Sequence, residues 1–148
     1  LNVSGGSINV VPGRCQFSLD LRAPTDPQRD ALVRDVLDHL GQIAARRGLR
    51  YTLEESMRAA AAPSAPALQH HWERAVDHLG VPVFRMPSGA GHDAMKLHEI
   101  MPQAMLFVRG ENSGISHNPL ESTTNNDMQL AVDAFTQVLH QLAEEQQP

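Results

Sequence analysis

The sequence has no long apolar run, only one cysteine and no signal-peptide pattern at its start. Each of these features excludes or disfavours a class of protein or a location. A membrane helix needs about 20 consecutive apolar residues. No segment approaches that length, so we expect no membrane partner. The single Cys15 cannot form a disulfide within the chain, which makes a reducing, cytoplasmic location the simplest expectation. Leu1 opens strand-like sequence directly, as a fragment would, and we expect no signal peptide.

Positive charge is not concentrated anywhere in the chain. The net charge is −5, acidic and basic residues are mixed, and no basic stripe is present. We therefore expect no nucleic-acid partner. The apolar content of 41% is ordinary for a soluble globular chain, and 148 residues fit one domain or two pieces of domains.

The first part of the chain has the pattern of a small α+β unit. Residues 1–11 are predicted to be strand, broken by a turn at Ser4-Gly5-Gly6-Ser7. Alternating apolar and polar side chains predict strands over residues 14–22 and 49–53. Between the last two, Thr25 or Asp26 is expected to cap a helix that ends at Gly48. The order is therefore β-β-α-β. The apolar stripe of this helix is formed by Leu32, Val36, Leu40 and Ile43.

The second part alternates helices with strands, which is typical of an α/β domain. An Ala/Pro/Ser stretch at residues 59–67 separates the two parts. The elements expected after it are a helix over 66–79, a strand over 81–86, a short helix from about His92, a strand over 104–108 and a final helix capped by Thr123 or Thr124. In the final helix we expect the inward side chains to be Met128, Ala131, Phe135, Val138 and Leu142.

Two loop segments carry the best candidates for a functional site. In GISHNPLE, residues 114–121, His117 lies in a Gly/Ser/Asn/Pro loop where packing cannot explain it, and its imidazole is a common metal ligand. Glu121 could orient that imidazole as a hydrogen-bond partner. The alternative is an ordinary surface histidine.

In SGAGHDAM, residues 88–95, Gly89 and Gly91 allow a ligand close to the backbone, just before a predicted helix start that favours an anion. The alternative for this segment, with Ala90 and His92, is a plain strand-to-helix turn. Other histidines lie on helix patterns among charged residues and are expected to be solvated: His39, His70, His71, His78 and His140.

A third candidate pair is Asn9 and Arg22, on the polar faces of the first two predicted strands. A guanidinium can hold a carboxylate through two nitrogens, and an amide both donates and accepts hydrogen bonds. By pattern alone, Arg22 and Asp20 form an ordinary polar surface.

Taken together, INVVPGRCQFSLDLR (8–22), PSGAGHDAM (87–95) and GISHNPLE (114–121) resemble the M20 family of metal-dependent amidohydrolases and peptidases. Among its members, the chain is most similar to the branch of allantoate amidohydrolases and N-carbamoyl-L-amino acid hydrolases. The order and spacing of the three segments match, and the resemblance covers nearly the whole chain. It implies an α/β, two-domain M20-like fold. Residues 1–53 would be the later part of an α+β lid, and residues 54–148 the C-terminal part of the α/β catalytic domain.

The resemblance also implies roles for the candidate residues. Asn9 and Arg22 would bind a small substrate bearing a ureido group and a carboxylate, with Arg22 on the carboxylate. The lid would also mediate a homodimer. Gly89, Ala90, Gly91 and His92 would line the substrate pocket, and His117 would be the last metal ligand.

The family's other metal ligands, a His-x-Asp motif, a Glu pair and a further His, have no counterpart in this chain. The Glu54-Glu55 pair lies in the wrong context. No catalytic residue is therefore expected within the chain, which should be the inactive C-terminal part of a longer enzyme that binds two divalent metals, Mn or Zn. The expected reaction is hydrolysis of allantoate to a ureidoglycine-type product with release of ammonia and CO2. The alternatives are an N-carbamoyl-L-amino acid hydrolase, an M20 peptidase or aminoacylase, and a non-catalytic dimerisation module.

Overall fold

The structure is a computed structural model that describes Val3 and residues 8–145. It divides into two compact units, Leu1–Ala61 and Ala62–Pro148. In chain order, the helices of the described part are α1 (Asp26–Arg47), α2 (Pro66–His78), α3 (Asp93–Leu97) and α4 (Asn125–Glu145), with a 3-10 turn at Asn112–Gly114 before α4.

Helix α1 of the first unit begins and ends where its capping residues predict. The Thr25 hydroxyl oxygen accepts a hydrogen bond from the Gln28 backbone N–H at 3.4 Å. At the other end Gly48 adopts φ 64, a left-handed conformation that glycine enters without a Cβ clash. Its N–H donates to the Ala45 carbonyl at 3.3 Å. Both ends of this helix are confirmed.

An arginine close to the start of α1 fixes the segment that ends the first unit. The Arg29 side chain is only 16% exposed and pairs with Asp26 at 2.8 Å and Asp30 at 2.9 Å. It also donates to the Ala59 carbonyl. The Asp26 carboxylate accepts the Ala61 backbone N–H at 2.8 Å. These bonds hold residues 59–61 against the first turn of α1.

A second arginine adds to this attachment. Arg58 donates to the Asp30 carboxylate at 3.0 Å and holds the Glu55 carboxylate at both oxygens, at 3.0 and 2.9 Å. The hydrogen bonds from Arg29 and Arg58 lower the pKa of Asp30 and Glu55 respectively, because they stabilise the ionised carboxylates. The predicted domain boundary, after residue 53, lies earlier in the chain than the end of this attached segment.

The second unit is built on the packing of α2 against α4. Small residues meet at the contact, where Ala75 is 0% exposed and Ala134 and Val138 are buried. Trp72 and Phe135 stack beside them with ring centroids 5.9 Å apart. The side chains that border this core are partly buried: Trp72, Leu79, Leu106 and Leu142.

The apolar stripe predicted for α4 agrees with this core only in part. Val138 and Leu142 face it, whereas Met128 and Phe135 are about half exposed. Helical spacing correctly predicts that Val138 and Leu142 face the core. The apolar stripe of α4 is, however, longer than the surface that α2 alone can cover.

The prediction that His71 is solvated is wrong. His71 is 4% exposed, and its Nδ1 lies 3.0 Å from Gln141 Oε1. Its Nε2 lies 3.3 Å from the Glu145 carboxylate. A buried polar ring requires partners, and α4 supplies both. Charged neighbours along α2 gave no indication of these partners, because they come from another helix.

The strands predicted from the sequence are not formed within the part of the chain that the structure describes. Residues 14–22, 49–53, 81–86 and 104–108 lack strand pairing, with single bridge residues at Val10 and Gln16. Of the first predicted strand, residues 1–2 and 4–7 lie outside the described residues. Alternation predicts which face is apolar, but a ladder also requires a neighbouring backbone to accept its hydrogen bonds. Many apolar side chains of these segments are consequently exposed, among them Phe17, Leu53, Phe84 and Phe107, whereas Leu106 is partly buried beside the core of the second unit.

A glutamine anchors the beginning of the second unit. Gln103 is 8% exposed, and its amide nitrogen donates to the carbonyls of Ala62 and Pro63 at 3.2 and 3.3 Å. The Gln103 backbone carbonyl accepts the Ala65 N–H at 2.7 Å. The Gln103 Oε1 has no hydrogen-bond partner among the described residues. Residues 62–65 are therefore attached to the second unit, as residues 59–61 are to the first.

Across residues 8–145, no helix combines the length and apolar character needed to span a membrane.

Candidate functional site

The loop that precedes α4 is closed at its base by hydrogen bonds between its two ends. The Glu111 N–H donates to the Ser122 carbonyl at 2.8 Å, and the Thr123 hydroxyl donates to the Arg109 carbonyl at 2.7 Å. The Ser122 hydroxyl donates in addition to the Glu111 carboxylate at 3.0 Å. Residues 109–123 thus form a compact surface loop with joined ends, a form that is frequently functional.

The Asn112 side chain joins the two halves of this loop. Its amide nitrogen donates to the Leu120 carbonyl at 2.7 Å and to the Ser122 hydroxyl at 3.3 Å. Asn112 has φ 50 and Ser113 has φ 63, so both lie in the left-handed region. Asparagine is among the non-glycine residues that tolerate this conformation best. Asn112 therefore suits this turn, and its side chain ties the turn to Leu120 and Ser122.

His117 stands at the far end of the loop with its side chain exposed. Its backbone also lies in the left-handed region, at φ 55. The Glu121 carboxylate accepts a hydrogen bond from the His117 backbone N–H at 2.8 Å. No described residue hydrogen-bonds to the imidazole ring itself. The loop thus presents an imidazole whose ring nitrogens are accessible.

Glu121 contacts His117 at its backbone N–H and not at its imidazole ring. The intervening turn is fixed by Asn118, whose carbonyl accepts the Glu121 N–H at 2.9 Å and whose side chain accepts the Leu120 N–H at 2.9 Å. Glu121 therefore determines the path of the chain at His117.

The second candidate segment forms a turn that leads into α3. Gly89, Ala90, Gly91 and His92 are exposed, and the Ser88 hydroxyl donates to the Ala90 carbonyl at 3.1 Å. His92 is the N-cap of α3 in extended conformation, without a side-chain capping hydrogen bond. At five residues, α3 is too short for its dipole to define an anion site. The segment offers exposed backbone and an exposed histidine.

The first unit holds the other two candidates. Arg22 binds the Asp20 carboxylate through Nε to Oδ1 at 2.9 Å and Nη2 to Oδ2 at 2.5 Å. These hydrogen bonds lower the pKa of Asp20, because they stabilise its ionised form. The guanidinium thus already holds a carboxylate in the bidentate geometry expected for a substrate carboxylate. Asn9 is exposed in a turn before Val10.

The candidate residues therefore fall into two groups, each within one unit. Asn9 and Arg22 belong to the first unit, and residues 89–92, His117 and Glu121 belong to the second.

His117 fits one ligand position of a divalent metal, since its ring is exposed and carries no hydrogen bond from a described residue. A complete metal centre is a different matter, because no three His, Cys, Asp or Glu side chains within residues 8–145 come together as ligands. Catalytic zinc normally takes three protein ligands. The described residues could thus supply one imidazole ligand to a metal centre.

Sequence reasoning missed Asn112 and Ser122 at the loop base. The local signal was present, since Asn-Ser-Gly at residues 112–114 is a cluster of turn-forming residues. The partner of Asn112, the Leu120 carbonyl, could not be found in this way, because a backbone acceptor leaves no trace in the sequence.

Comparison with known proteins points first to a class, the amidohydrolases. The chain is 36% identical to an N-carbamoyl-L-amino acid amidohydrolase of Geobacillus stearothermophilus over 97% of this chain and 35% of that protein. It is 35% identical to an allantoate amidohydrolase of Bacillus subtilis over 91% of this chain and 32% of that protein. With an allantoate deiminase of Arabidopsis thaliana, it shares 35% identity over 88% of this chain and 26% of that protein.

The family model for Peptidase family M20/M25/M40 matches residues 3–141, and the chain belongs to this family. The resemblance expected from the three motif segments is therefore confirmed. The chain spans about a third of the length of the first two of these relatives.

Proposed function

We propose that this chain is part of a metal-dependent amidohydrolase that cleaves a ureido C–N bond in a small substrate bearing a carboxylate. The substrate proposed first is allantoate, converted to a ureidoglycine-type product with release of ammonia and CO2. The observation that carries the proposal is the exposed His117 on a hydrogen-bonded loop, within a chain of the M20 family. Two of the relatives above, named allantoate amidohydrolase and allantoate deiminase, support the choice of substrate.

The proposed architecture assigns residues 1–53 to the later part of an α+β lid and residues 54–148 to the C-terminal part of an α/β catalytic domain. In the longer protein the segments predicted as strands would pair with strands contributed from outside this chain. Their apolar, exposed side chains support this, since such faces normally pack in a sheet. We further propose a homodimer formed through the lid and a cytoplasmic location.

Each candidate residue has a proposed part in substrate binding. Arg22 would bind the substrate carboxylate through two nitrogens, the geometry it already forms with Asp20. Asn9 would orient the ureido group by donating to its carbonyl and accepting from its N–H. Residues 89–92 would line the pocket with exposed backbone. No catalytic base is assigned within this chain.

His117 would hold one of two divalent metals, Mn or Zn. When bound, the metals would activate a water and polarise the scissile carbonyl. The contribution of this chain is to position the imidazole, which Glu121 does by fixing the backbone at His117.

A second substrate class, the N-carbamoyl-L-amino acids, is favoured by a specific observation. The Geobacillus relative, which bears that name, is 36% identical over 97% of this chain. Such a substrate also carries a carboxylate and a ureido group, so it would use Arg22 and Asn9 in the same way.

The test is hydrolysis by the full-length protein after chelation and after Mn or Zn is restored, with allantoate, an N-carbamoyl-L-amino acid and a dipeptide as substrates. Metal-dependent ammonia release from allantoate, abolished by His117→Ala, would support the first proposal. Turnover of the carbamoyl substrate alone would move the protein to the second class. Hydrolysis of the dipeptide alone, or of none of them, would refute the amidohydrolase proposal. The 148-residue chain by itself should be inactive.

A further inference from the structure

We propose that Asn112 is a positioning residue for His117, acting through the hydrogen bonds that close the loop between them. The inference deepens the proposed function, and rests on it, because it assumes that the His117 imidazole is a metal ligand. Asn112 itself does not touch substrate or metal in this proposal.

The first step of the argument is the path that joins the two residues. The Asn112 amide nitrogen donates to the Leu120 carbonyl at 2.7 Å. Leu120 directly precedes Glu121, whose carboxylate accepts the His117 backbone N–H at 2.8 Å. Asn112 therefore anchors the residue next to the one that fixes His117. The Asn112 side chain thus links the first half of the loop to its second half.

The second step is that little else could hold this loop. Residues 109–122 are all exposed, so burial of apolar side chains does not fix their conformation. Hydrogen bonds must do so, and Asn112 supplies two of those at the base. Its replacement leaves three closures at the base: the backbone bond from Glu111 to Ser122, the Ser122 hydroxyl bond to the Glu111 carboxylate, and the Thr123 hydroxyl bond to the Arg109 carbonyl.

The third step is the backbone conformation. Asn112, Ser113 and His117 all have positive φ, and a non-glycine residue there costs conformational energy unless its surroundings hold it. Without the Asn112 bond, His117 is free to relax to negative φ, which redirects its side chain. A ligand that no longer points to the metal lowers metal affinity even though the imidazole remains present.

The test uses the full-length protein and three substitutions. Asn112→Asp keeps the shape of the side chain but replaces the donating nitrogen with an oxygen. Asn112→Gly permits positive φ without any side-chain bond, and so separates the hydrogen bond from the backbone preference. Asn126→Asp is the matched control, because Asn126 is exposed in the first turn of α4 and has no role in the loop.

Two measurements other than activity decide the matter. Titration calorimetry with Mn should show affinity reduced by about 10- to 100-fold in both Asn112 variants, the range known for groups that orient metal ligands. Hydrogen exchange in a peptide covering residues 114–121 should become faster, as the His117 N–H loses its carboxylate partner. The Asn126 variant should match the wild type in both. Circular dichroism checks that all variants remain folded.

Three outcomes would overturn the inference. If the wild-type protein shows metal-dependent turnover but Asn112→Asp binds Mn normally, Asn112 does not position His117. If Mn affinity falls without a change in exchange at residues 114–121, the effect does not pass through the loop. If Asn112→Gly binds Mn normally, backbone preference suffices and the hydrogen bond is unnecessary. A wild-type protein without metal-dependent turnover would instead refute the proposed function itself, and the inference with it.

Discussion

The guanidinium of Arg22 holds both carboxylate oxygens of Asp20, two residues earlier in the chain, at 2.9 and 2.5 Å. Both side chains are exposed, so the pair is accessible to a competing carboxylate. In the proposed role of Arg22, a substrate carboxylate that used the same two nitrogens would replace the carboxylate of Asp20 there.

Replacement of Arg22 by lysine should weaken substrate binding although the charge is kept. A lysine ammonium is a point charge that cannot reproduce the planar two-nitrogen contact. We expect KM for allantoate in the full-length protein to rise about 10- to 100-fold, which corresponds to the loss of one charged hydrogen bond. Steady-state kinetics measures this. Arg14→Lys, at an exposed position of the same region, should leave KM unchanged. An equal KM for Arg22→Lys and wild type would remove Arg22 from the site.

His71 should matter for stability far more than its neighbour His70. Replacement of His71 by alanine removes a buried ring and leaves Gln141 and Glu145 without their partner. We expect a loss of about 1–3 kcal/mol in the free energy of unfolding. His70→Ala, at an exposed position of α2, should change it by less than about 0.5 kcal/mol. Urea denaturation followed by circular dichroism compares the two, and similar losses would contradict the assigned burial.

Enlargement of Ala75 should disrupt the contact between α2 and α4. Ala75 is fully buried against Ala134 and Val138, so a leucine would force the helices apart. We expect destabilisation by about 1–3 kcal/mol, the usual cost of overpacking. Thermal unfolding measures this effect. Ala143→Leu, on an exposed position of α4, serves as the control and should be nearly neutral. An Ala75→Leu protein as stable as wild type would show that the two helices can separate without loss.

Acid should weaken the attachment between α1 and the segment that ends the first unit. The pKa of Glu55 and that of Asp30 are lowered in the folded protein, so the unfolded chain takes up protons on these groups first as the pH falls. Their contribution to stability is therefore present at neutral pH. It begins to be lost below about pH 4.5, and the loss continues as the pH falls through the lower folded-state values.

Urea denaturation between about pH 6 and about pH 3 tests this. Arg58→Gln removes a partner of both carboxylates, so its stability should fall less steeply with acid than that of the wild type. Arg50→Gln, an exposed position outside the ion pairs described, is the control. Parallel pH profiles for wild type and Arg58→Gln would contradict the prediction.

Features that depend on neighbouring residues were predictable from the sequence, whereas those that depend on distant partners were not. The cap at Thr25 and the end of α1 at Gly48 follow from local chemistry, and both were found. Strand pairing at residues 81–86 and 104–108 requires neighbouring strands, and the apolar runs that predict these strands do not identify their partners. The prediction that His71 is solvated is wrong for a related reason, because the partners of its ring lie on α4.

The candidate site follows the same division. The loop position of His117 and its proximity to Glu121 were evident from the motif. The contact of Glu121 with the backbone, and the part played by Asn112, depend on the folded path of the loop.

The peptide bond between Ala61 and Ala62 separates two sets of anchors. Ala61 gives its N–H to Asp26, while Ala62 and Pro63 give their carbonyls to Gln103. A gene fusion, a protease site or an exchange with a relative placed at this junction would leave each of these bonds on its own side. The same cut after residue 53 would carry Arg58, Ala59 and Ala61 away from the carboxylates and the arginine that bind them. For anyone who divides this protein into separately made parts, Ala61 is the last residue to keep with α1.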